Sequence, residues 1–407
     1  MNHHGRIVYA GVDTHQDVHV AAVIDAVGAL LDTKAFATTP LGLKGLERWL
    51  AKHGQIAKVG VEGTGTYGLG LQRVLQAAGH QVVEVNRPNR QLRRAKGKSD
   101  PVDAQSAARA VLAGHATATP KSHDGIIESI RVLLVVHTST MQALQKAGAR
   151  IRSLTITAPD PLRIELANLT TQARAARAAR MRPGDDPSDV ATATRTALRL
   201  LGRQFLGLVE DQKMIESQLE ELTTLANPGL RQVPGVGPLV AARLLVAAGD
   251  NPDRMTSEAA FAALCGASPV PASSGKTTAM RLNRGGNRQA NSALFRIAVV
   301  RMSHHHQPTV DYLTRRTAEG KTKRAILRCL KRFIAREIYS HLVNPKPAIQ
   351  TDDLRARRTA IGQPMRVVAV AVGARLMDIS RLERGTSHDA DLAKRYRDWI
   401  KQQEAAS

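Results

Sequence analysis

The sequence has few of the residues that mark secreted, membrane or zinc-finger proteins. Its 407 residues include only two cysteines, and aromatic residues make up 3%. Cys265 and Cys329 lie far apart without CxxC spacing, which excludes a disulfide scaffold and a zinc finger and suits a reducing compartment. The N-terminus shows no signal-peptide pattern, and no stretch approaches the roughly 18 apolar residues of a membrane span. We therefore expect a cytoplasmic protein with no membrane partner.

Acidic residues are also scarce relative to basic ones. Asp and Glu total 35 against 58 Lys and Arg, which gives a formal net charge of +23. An excess of that size on a foldable chain indicates a polyanionic partner, with nucleic acid as the first candidate. The charge is concentrated in residues 227–345, which carry 18 basic and 6 acidic residues. We expect a nucleoid-associated protein.

Strand and helix patterns alternate in residues 1–120, which we predict to be one domain. RIVYAGVD, VHVAAVID and residues 29–36 are typical of three consecutive strands, and strand–helix units follow them. Three strands joined by short turns, then strand–helix units, favour a mixed α/β sheet of ribonuclease-H type. No GxGxxG follows the first strand, so a dinucleotide-binding domain has no support.

Residues 121–226 show helical patterns only, and we predict a helical linker there. Apolar residues recur at alternating spacings of three and four, with one polar position: Leu198, Leu201, Phe205, Leu208, Gln212, Ile215, Leu219 and Leu222. This heptad pattern, called the seam below, fits either a coiled coil between protomers or a long helix packed on its own domain.

Four carboxylates stand at positions that favour a metal site in the first domain. Asp13 and Glu62 end predicted strands, while Asp100 and Asp103 lie three residues apart at a helix start marked by Pro101. Oxygen ligands of this kind suit Mg²⁺, and a two-metal site would clamp a phosphodiester. A basic run without acids precedes the Asp pair and is a candidate phosphate-binding strip: Arg87, Arg90, Arg93, Arg94, Lys96 and Lys98.

Residues 227–345 show helical patterns only, which predicts an all-α domain, and they carry two further candidate sites for nucleic acid. In VPGVGPLVAARLLVAAGD, Gly235 and Gly237 fit a helix–hairpin–helix whose backbone N–H groups hold a phosphate; a plain turn between helices is the alternative. Downstream, Ser273, Ser274 and Gly275 form a loop pattern followed by four basic residues: Lys276, Arg281, Arg284 and Arg288. A serine that attacks phosphorus needs such positive charge around it.

In this order, the motifs GVDTHQDVH, GVEGTG, KSDPVDA, PGVG and SSGK…RLNRGGNR resemble the insertion-sequence-110 transposases, also called DEDD or Piv-type recombinases. The resemblance implies a RuvC-like nuclease domain, a helical linker with dimer contacts and a serine transposase domain. Carried over by motif, the metal-binding tetrad would be Asp13, Glu62, Asp100 and Asp103. Ser274 would be the nucleophile, with Ser273 as the second choice. A structured guide RNA and a homo-oligomer (dimer or tetramer) are further implications.

The chain continues beyond this resemblance, with a predicted linker and small helical module over residues 346–407. Within it, MRVVAVAVGARLMDISRLERG resembles a helix–turn–helix, with Gly373 at the turn and a recognition helix over residues 375–383. A packing module without DNA contacts is the alternative.

The preferred function is a transposase that cuts and rejoins DNA through a serine-linked intermediate. One alternative is a hydrolytic RuvC-like junction nuclease, in which water attacks and Ser274 is structural. The other is a non-catalytic nucleic-acid-binding regulator. A trapped covalent protein–DNA adduct separates the first function from both others, and metal-dependent cleavage without an adduct selects the second.

Overall fold

A computed structural model describes residues 6–85, 99–251, 255–273, 280–347, 350–385 and 389–406. The chain divides into two compact units, Met1–His123 and Asp124–Ser407. Several predicted site residues lie outside the described residues, namely Arg87, Arg90, Arg93, Arg94, Lys96, Lys98, Ser274 and Lys276. In the described part of the chain, no helix is long and apolar enough to cross a membrane.

The first unit is built on a five-stranded mixed sheet. Its strands are β1 Ile7–Thr14, β2 Val18–Asp25, β3 Leu30–Ala37, β4 Gln55–Glu62 and β5 Val82–Val85. Its helices are α1 Pro40–Ala51, α2 Leu69–Ala77 and α3 Asp100–Leu112. The strand order is β3-β2-β1-β4-β5; β1, β2 and β3 pair antiparallel, whereas β4 pairs parallel with β1 and β5. This mixed sheet with helices is compatible with the predicted ribonuclease-H-like domain.

Strict alternation along β1 assigns its side chains to two faces of the sheet. Val8, Ala10 and Val12 are buried against α1 and α2, together with Leu46 and Leu71. The alternate residues of β1 therefore face the opposite side, where α3 packs. The sheet is thus covered by helices on both faces, and Asp13 lies on the α3 face.

Two glycines allow α3 to approach the sheet closely. A Cβ on Gly11 would lie 2.2 Å from the carbonyl oxygen of Ala104 and 2.2 Å from the backbone nitrogen of Ala108. A Cβ on Gly60, the partner of Gly11 in β4, would lie 2.6 Å from Val111 Cγ2. Side chains at these positions would force the helix away from the strands, so glycine at both sets the height of α3 above the sheet.

In the described residues, the second unit is helical apart from the two-stranded ribbon β6 Val270–Pro271 and β7 Met280–Arg281, which departs from the all-α domain predicted for residues 227–345. Its helices are α4 Ile126–Thr157, α5 Asp160–Ala167, α6 Thr171–Ala179, α7 Val190–Ala226, α8 Pro228–Arg231, α9 Pro238–Ala248, α10 Glu258–Leu264, α11 Arg288–Ser303, α12 Gln307–Ala318, α13 Lys323–Val343, α14 Asp352–Ala360, α15 Met365–Ala371, α16 Leu376–Glu383 and α17 Ala390–Ala406.

Three seam residues of α7, Leu198, Ile215 and Leu219, are buried within their own chain. Leu198 is buried in a cluster with Ile151 of α4, whereas Leu219 joins the main core of the second unit. The polar seam position also has a partner, because the Gln212 side-chain amide donates to Glu216 Oε1 at 2.9 Å; that oxygen lies 3.2 Å from His137 Nε2. These contacts agree with a long helix packed on its own domain, and both alternatives for the seam, that one and a coiled coil between protomers, stay predictions.

Helices α14 to α17 form a small module with its own apolar core. Gly373 adopts φ +63° in the turn between α15 and α16, while Ile379 and Leu382 are buried. Glu383 is nearly buried and accepts hydrogen bonds from Arg358 at 2.6 and 3.1 Å and from Tyr396 at 2.6 Å. Burial opposes ionisation of Glu383, but these hydrogen bonds outweigh it and lower the pKa of the carboxyl. DNA binding by this module stays a prediction.

Candidate functional site

Three of the four predicted carboxylates converge where β1 meets the N-terminus of α3. Asp13, the next-to-last residue of β1, is 6% exposed, and Asp103 of α3 is 3% exposed. Asp100, in the first turn of α3, is half-exposed. The close approach at Gly11 places this helix end directly over the strand. Carboxylates in a first helical turn also interact favourably with the helix dipole.

The carboxylates of this cluster act on one another electrostatically. Burial raises the pKa of Asp13, and the negative charges of Asp103 and Asp100 raise it further, while His15 lowers it. Like charges held this close and partly out of water need a compensating positive charge. The imidazole of His15 contacts two of these carboxylates, with its Nε2 3.1 Å from Asp13 Oδ2 and 3.5 Å from Asp100 Oδ1.

The donor atoms at this site fit a divalent cation. One donor atom each from Asp13, His15 and Asp100 lies within 4.8 Å of the other two. Carboxylate oxygens suit hard divalent ions, and an imidazole nitrogen is also a common metal ligand. The chemistry of the donor set is therefore consistent with a metal centre at the end of β1.

Glu62 belongs to the same corner of the sheet by strand register. β1 and β4 run parallel with Val12 beside Val61, so Asp13 and Glu62 are the next residues along. Alternation puts both on the α3 face, because Val12 and Val61 point into the opposite core. The Thr14 hydroxyl also donates to the backbone carbonyl of Glu62 at 2.7 Å, which ties the two strand ends together.

In the second unit, two arginines fix the predicted hairpin. Gly235 adopts φ +85°, and Gly237 is the N-cap of α9. Arg301 donates to the carbonyl of Pro234 at 2.8 Å and forms a two-point ion pair with Glu337. Arg231 donates to the carbonyl of Val236 at 2.6 Å. The turn is therefore held from both sides, with the N-terminus of α9 following it; phosphate binding there stays a prediction.

The uncharged residues of the motif RLNRGGNR build a rigid loop. Asn283 donates to the carbonyl of Ala263 at 3.1 Å, and Asn287 caps α11 by accepting from the backbone of Ala290 at 3.0 Å. A Cβ on Gly286 would lie 2.4 Å from the backbone nitrogen of Gly266. These uncharged residues fix the backbone of the loop, so the structure of the loop does not depend on the side chains of Arg284 and Arg288.

That loop forms one side of an open cavity of about 590 Å³. Its cationic lining residues are Arg284, Arg288, Arg328 and Lys331, and it also includes the ring of Phe295. Burial, and then the positive charge of Arg328, lower the pKa of Lys331, whose ammonium donates to Asn291 Oδ1 at 3.0 Å. The predicted contact Arg281 is exposed on β7 and does not line this cavity. Ser273 is exposed at the end of the preceding described segment.

Two regions of the chain match transposase families. Residues 10–157 match the DEDD-type IS110 family described as transposase, and residues 228–313 match the family described as Transposase IS116/IS110/IS902. Together these matches cover more than half of the chain. The chain belongs to the IS110 transposase family. The predicted family assignment is therefore confirmed.

Two relatives from Streptomyces coelicolor show how far the similarity extends. A protein of the insertion element IS110 is 35% identical over 139 residues, which is 33% of this chain and 34% of the relative. A protein whose name describes it as a putative transposase for the mini-circle IS117 is 24% identical over 324 residues, or 66% of this chain and 78% of the relative. The first match spans about a third of that relative's length.

The sequence analysis did not predict three residues of these candidate sites. His15 lies two residues after Asp13 and just past the end of β1, so a continued alternation could have indicated that the two side chains point to the same side. Arg328 and Lys331 lie on α13, about forty residues after the motif arginines whose cavity they share. No local spacing connects them, since only the packing of α11 against α13 brings the two groups together.

Proposed function

We propose that this transposase cuts and rejoins DNA through a covalent link to Ser274, assisted by a divalent metal site in its first unit. The observation that supports this most directly is the convergence of Asp13, Asp100 and Asp103 at the end of β1 in an IS110-family chain. Isolated surface carboxylates would repel one another and spread apart. Here the packing of α3 at Gly11 holds them together at the cost of their mutual repulsion.

Asp13, Glu62, Asp100 and Asp103 would hold the metal, with Mg²⁺ as the expected ion, and His15 is an additional candidate ligand. Bound there, the metal would attract a scissile phosphate and stabilise the negative charge that develops on it during cleavage. The chain's own contribution is to pre-organise the carboxylates. Asp13 and Glu62 are fixed by the sheet, and Asp103 is fixed by a buried helical turn.

The serine step transfers a phosphoryl group without net hydrolysis. A bond forms between Ser274 Oγ and phosphorus as the bond from phosphorus to the 3′ oxygen breaks. The 3′ oxygen leaves as a hydroxyl with the proton that the serine gives up. The reverse step, with a 3′-hydroxyl from an exchanged strand, restores the serine and rejoins DNA. Arg284 and Arg288 would stabilise charge near this reaction, because their motif follows Ser274 directly in sequence.

A nicked suicide substrate tests this mechanism. The wild-type chain with Mg²⁺ should become attached to DNA on a denaturing gel, and Ser274→Ala should abolish both attachment and strand exchange. Ser273→Ala is the matched control and should retain attachment. An adduct in Ser274→Ala would move the nucleophile elsewhere, while cleavage without any adduct in the wild type would select the hydrolytic junction nuclease.

The carboxylate site has its own test. Asp13→Asn or Asp103→Asn should abolish strand cleavage with little change in DNA binding, because each variant removes a metal ligand and no phosphate contact. Asp32→Asn is a matched control, since Asp32 lies on the edge strand β3 away from this corner. Wild-type cleavage by either site variant would overturn the metal assignment.

We further propose that the transposase forms a homo-oligomer and takes a structured guide RNA from its own element. The support is the family resemblance together with the net charge of +23. The test is to express the chain with its flanking DNA, purify it and sequence any RNA that accompanies it. If ribonuclease treatment leaves binding to the target DNA unchanged, the guide-RNA proposal is wrong.

A further inference from the structure

An exposed aromatic side chain, Phe295, lines the cationic cavity. Aromatic residues make up only 3% of the chain, yet this ring is 47% exposed. It lies on the same side of α11 as Arg288 and Ser292, seven and three residues earlier, and all three line the cavity. An aromatic face beside positive charges is the pairing that proteins use to hold nucleic-acid bases by stacking and phosphates by charge.

The cations of this cavity are not neutralised within the described structure. Arg284, Arg288 and Arg328 have no carboxylate partner among the described residues, whereas Arg332 and Arg336 on the same helix as Arg328 pair with Glu258. Residues 259–310, which supply most of the cavity lining, contain no Asp or Glu. A cluster of unpaired guanidinium groups this close favours an anionic ligand with several oxygens.

The cavity's walls are already in place for a ligand. Asn291 donates to the carbonyl of Cys265 at 2.7 Å and accepts from Lys331, so it links the floor of the cavity to α13. Gly286 and Gly266 are in close backbone contact on the other side. A cavity of about 590 Å³ lies in the range of small-ligand sites, which admits one nucleotide and is far too small for a double helix.

We propose that this cavity binds one unpaired nucleotide of a nucleic-acid strand, with its base stacked on Phe295 and its flanking phosphates on Arg284, Arg288 and Arg328. The proposal deepens the proposed function, since it names the conformation of the strand that the serine domain takes. A paired duplex backbone would use the arginines alone and would leave the Phe295 ring uncovered. An extruded or single-stranded nucleotide uses both parts of the site.

The test compares strands that differ in one unpaired nucleotide. The full chain is titrated, without divalent metal, with a DNA duplex that carries a central one-nucleotide bulge of fluorescent 2-aminopurine, and with the fully paired duplex. An RNA duplex with the same bulge forms the second arm and distinguishes the two sources of the nucleotide. The wild type should bind at least one bulged duplex, DNA or RNA, more tightly than its paired counterpart, and the fluorescence of the 2-aminopurine should change as the base leaves the helical stack.

Phe295→Leu keeps an apolar side chain and removes the aromatic face. It should reduce affinity for the bulged duplex about tenfold and leave the paired duplex unchanged, since stacking on an aromatic ring contributes on that scale. Phe333→Leu is the control, because Phe333 is 52% exposed on α13 but does not line the cavity. Arg328→Gln should weaken binding of the bulged duplex, whereas Arg324→Gln should not, because Arg324 lies one turn earlier on the same face of α13 but does not line the cavity.

Equal affinity for bulged and paired duplexes in both arms, or an equal effect of Phe295→Leu on both, would overturn the proposal. The adduct assay on Ser274 reports separately on the proposed function. If the bulge preference persists where no adduct forms, the serine mechanism fails and the nucleotide site stands. If an adduct forms without any bulge preference, only the nucleotide site fails.

Discussion

Gly11→Ala offers the sharpest test of how the fold holds the carboxylate site. The added Cβ would lie 2.2 Å from two backbone atoms of α3, whereas non-bonded carbon atoms settle at about 3.5–4.0 Å. Backbone atoms of a buried helix cannot rotate aside as a flexible side chain can. The whole helix must therefore move outward by about 1 Å or more, and Asp103 moves with it.

The expected cost follows from that geometry. Overpacking of a well-packed core typically costs about 1–3 kcal/mol, and contact with rigid backbone puts Gly11→Ala at the upper end. Gly45→Ala is a matched control in α1 of the same unit, because its Cβ would meet only Phe36 Cδ1, at 4.0 Å. That control should be neutral or stabilise by up to about 1 kcal/mol, as expected for alanine in a helix.

The assay uses the intrinsic fluorescence of Trp49, which lies in the core of the first unit. The chain has two tryptophans, so a Trp399→Phe background leaves Trp49 as the single reporter. Urea unfolding should show a loss of about 2–3 kcal/mol for Gly11→Ala, together with loss of metal-dependent cleavage. Equal unfolding midpoints for Gly11→Ala and Gly45→Ala would refute the argument that α3 rests directly on β1.

Three further predictions concern the second unit. Leu219→Ala should lower the free energy of unfolding by about 2–5 kcal/mol, because this side chain is fully buried. Leu225→Ala should change thermal stability little, because Leu225 is 72% exposed. Equal effects of the two substitutions would mean that the seam is not packed inside its own chain. Glu383 has a folded pKa below its ordinary 4.5, so its carboxylate stabilises the C-terminal module above that pH, and this stability is lost as pH falls through the folded pKa. Acid unfolding followed by Trp399 fluorescence should show this loss, and Glu383→Gln should remove it; an unchanged profile would contradict the hydrogen-bond assignment. Arg301→Lys cannot keep both its ion pair and its bond to Pro234, so exchange of the backbone amides between Val233 and Gly237, prolines excepted, should become faster. Arg296→Lys, on the exposed side of α11, should have no effect. Equal exchange in both variants would show that Arg301 does not hold the turn.

Local patterns predicted a mixed sheet with helices in the first unit, and they failed where sites are assembled from distant segments. The alternation of Val8, Ala10 and Val12 is visible in the sequence because a strand repeats every two residues. The two close Asp residues of α3 were equally visible from helical spacing. To place Glu62 beside Asp13, the prediction also needed the strand topology. The order of strands and helices along the chain indicated that topology.

The cavity in the second unit shows the limit of such reasoning. Arg284 and Arg288 stood out because they lie in one basic motif, but Arg281 of the same motif lies outside the cavity. Arg328 joins the cavity from a helix whose pattern is that of any amphipathic basic helix. Conversely, the seam was visible but its partner was not, because an apolar stripe specifies burial without specifying which surface covers it.

The arginines that brace the hairpin change how the chain's charge translates into nucleic-acid affinity. Affinity for DNA falls with salt in proportion to the phosphates neutralised, with a slope of about −0.9 per phosphate on a logarithmic scale. Arg231 and Arg301 are occupied by Glu220, Glu337 and backbone carbonyls, so they release no counterions on binding. The number of positive residues in this unit therefore exceeds the number of ions displaced. Its salt dependence reports the arginines that remain unpaired, such as Arg328, and the braced ones contribute shape rather than charge.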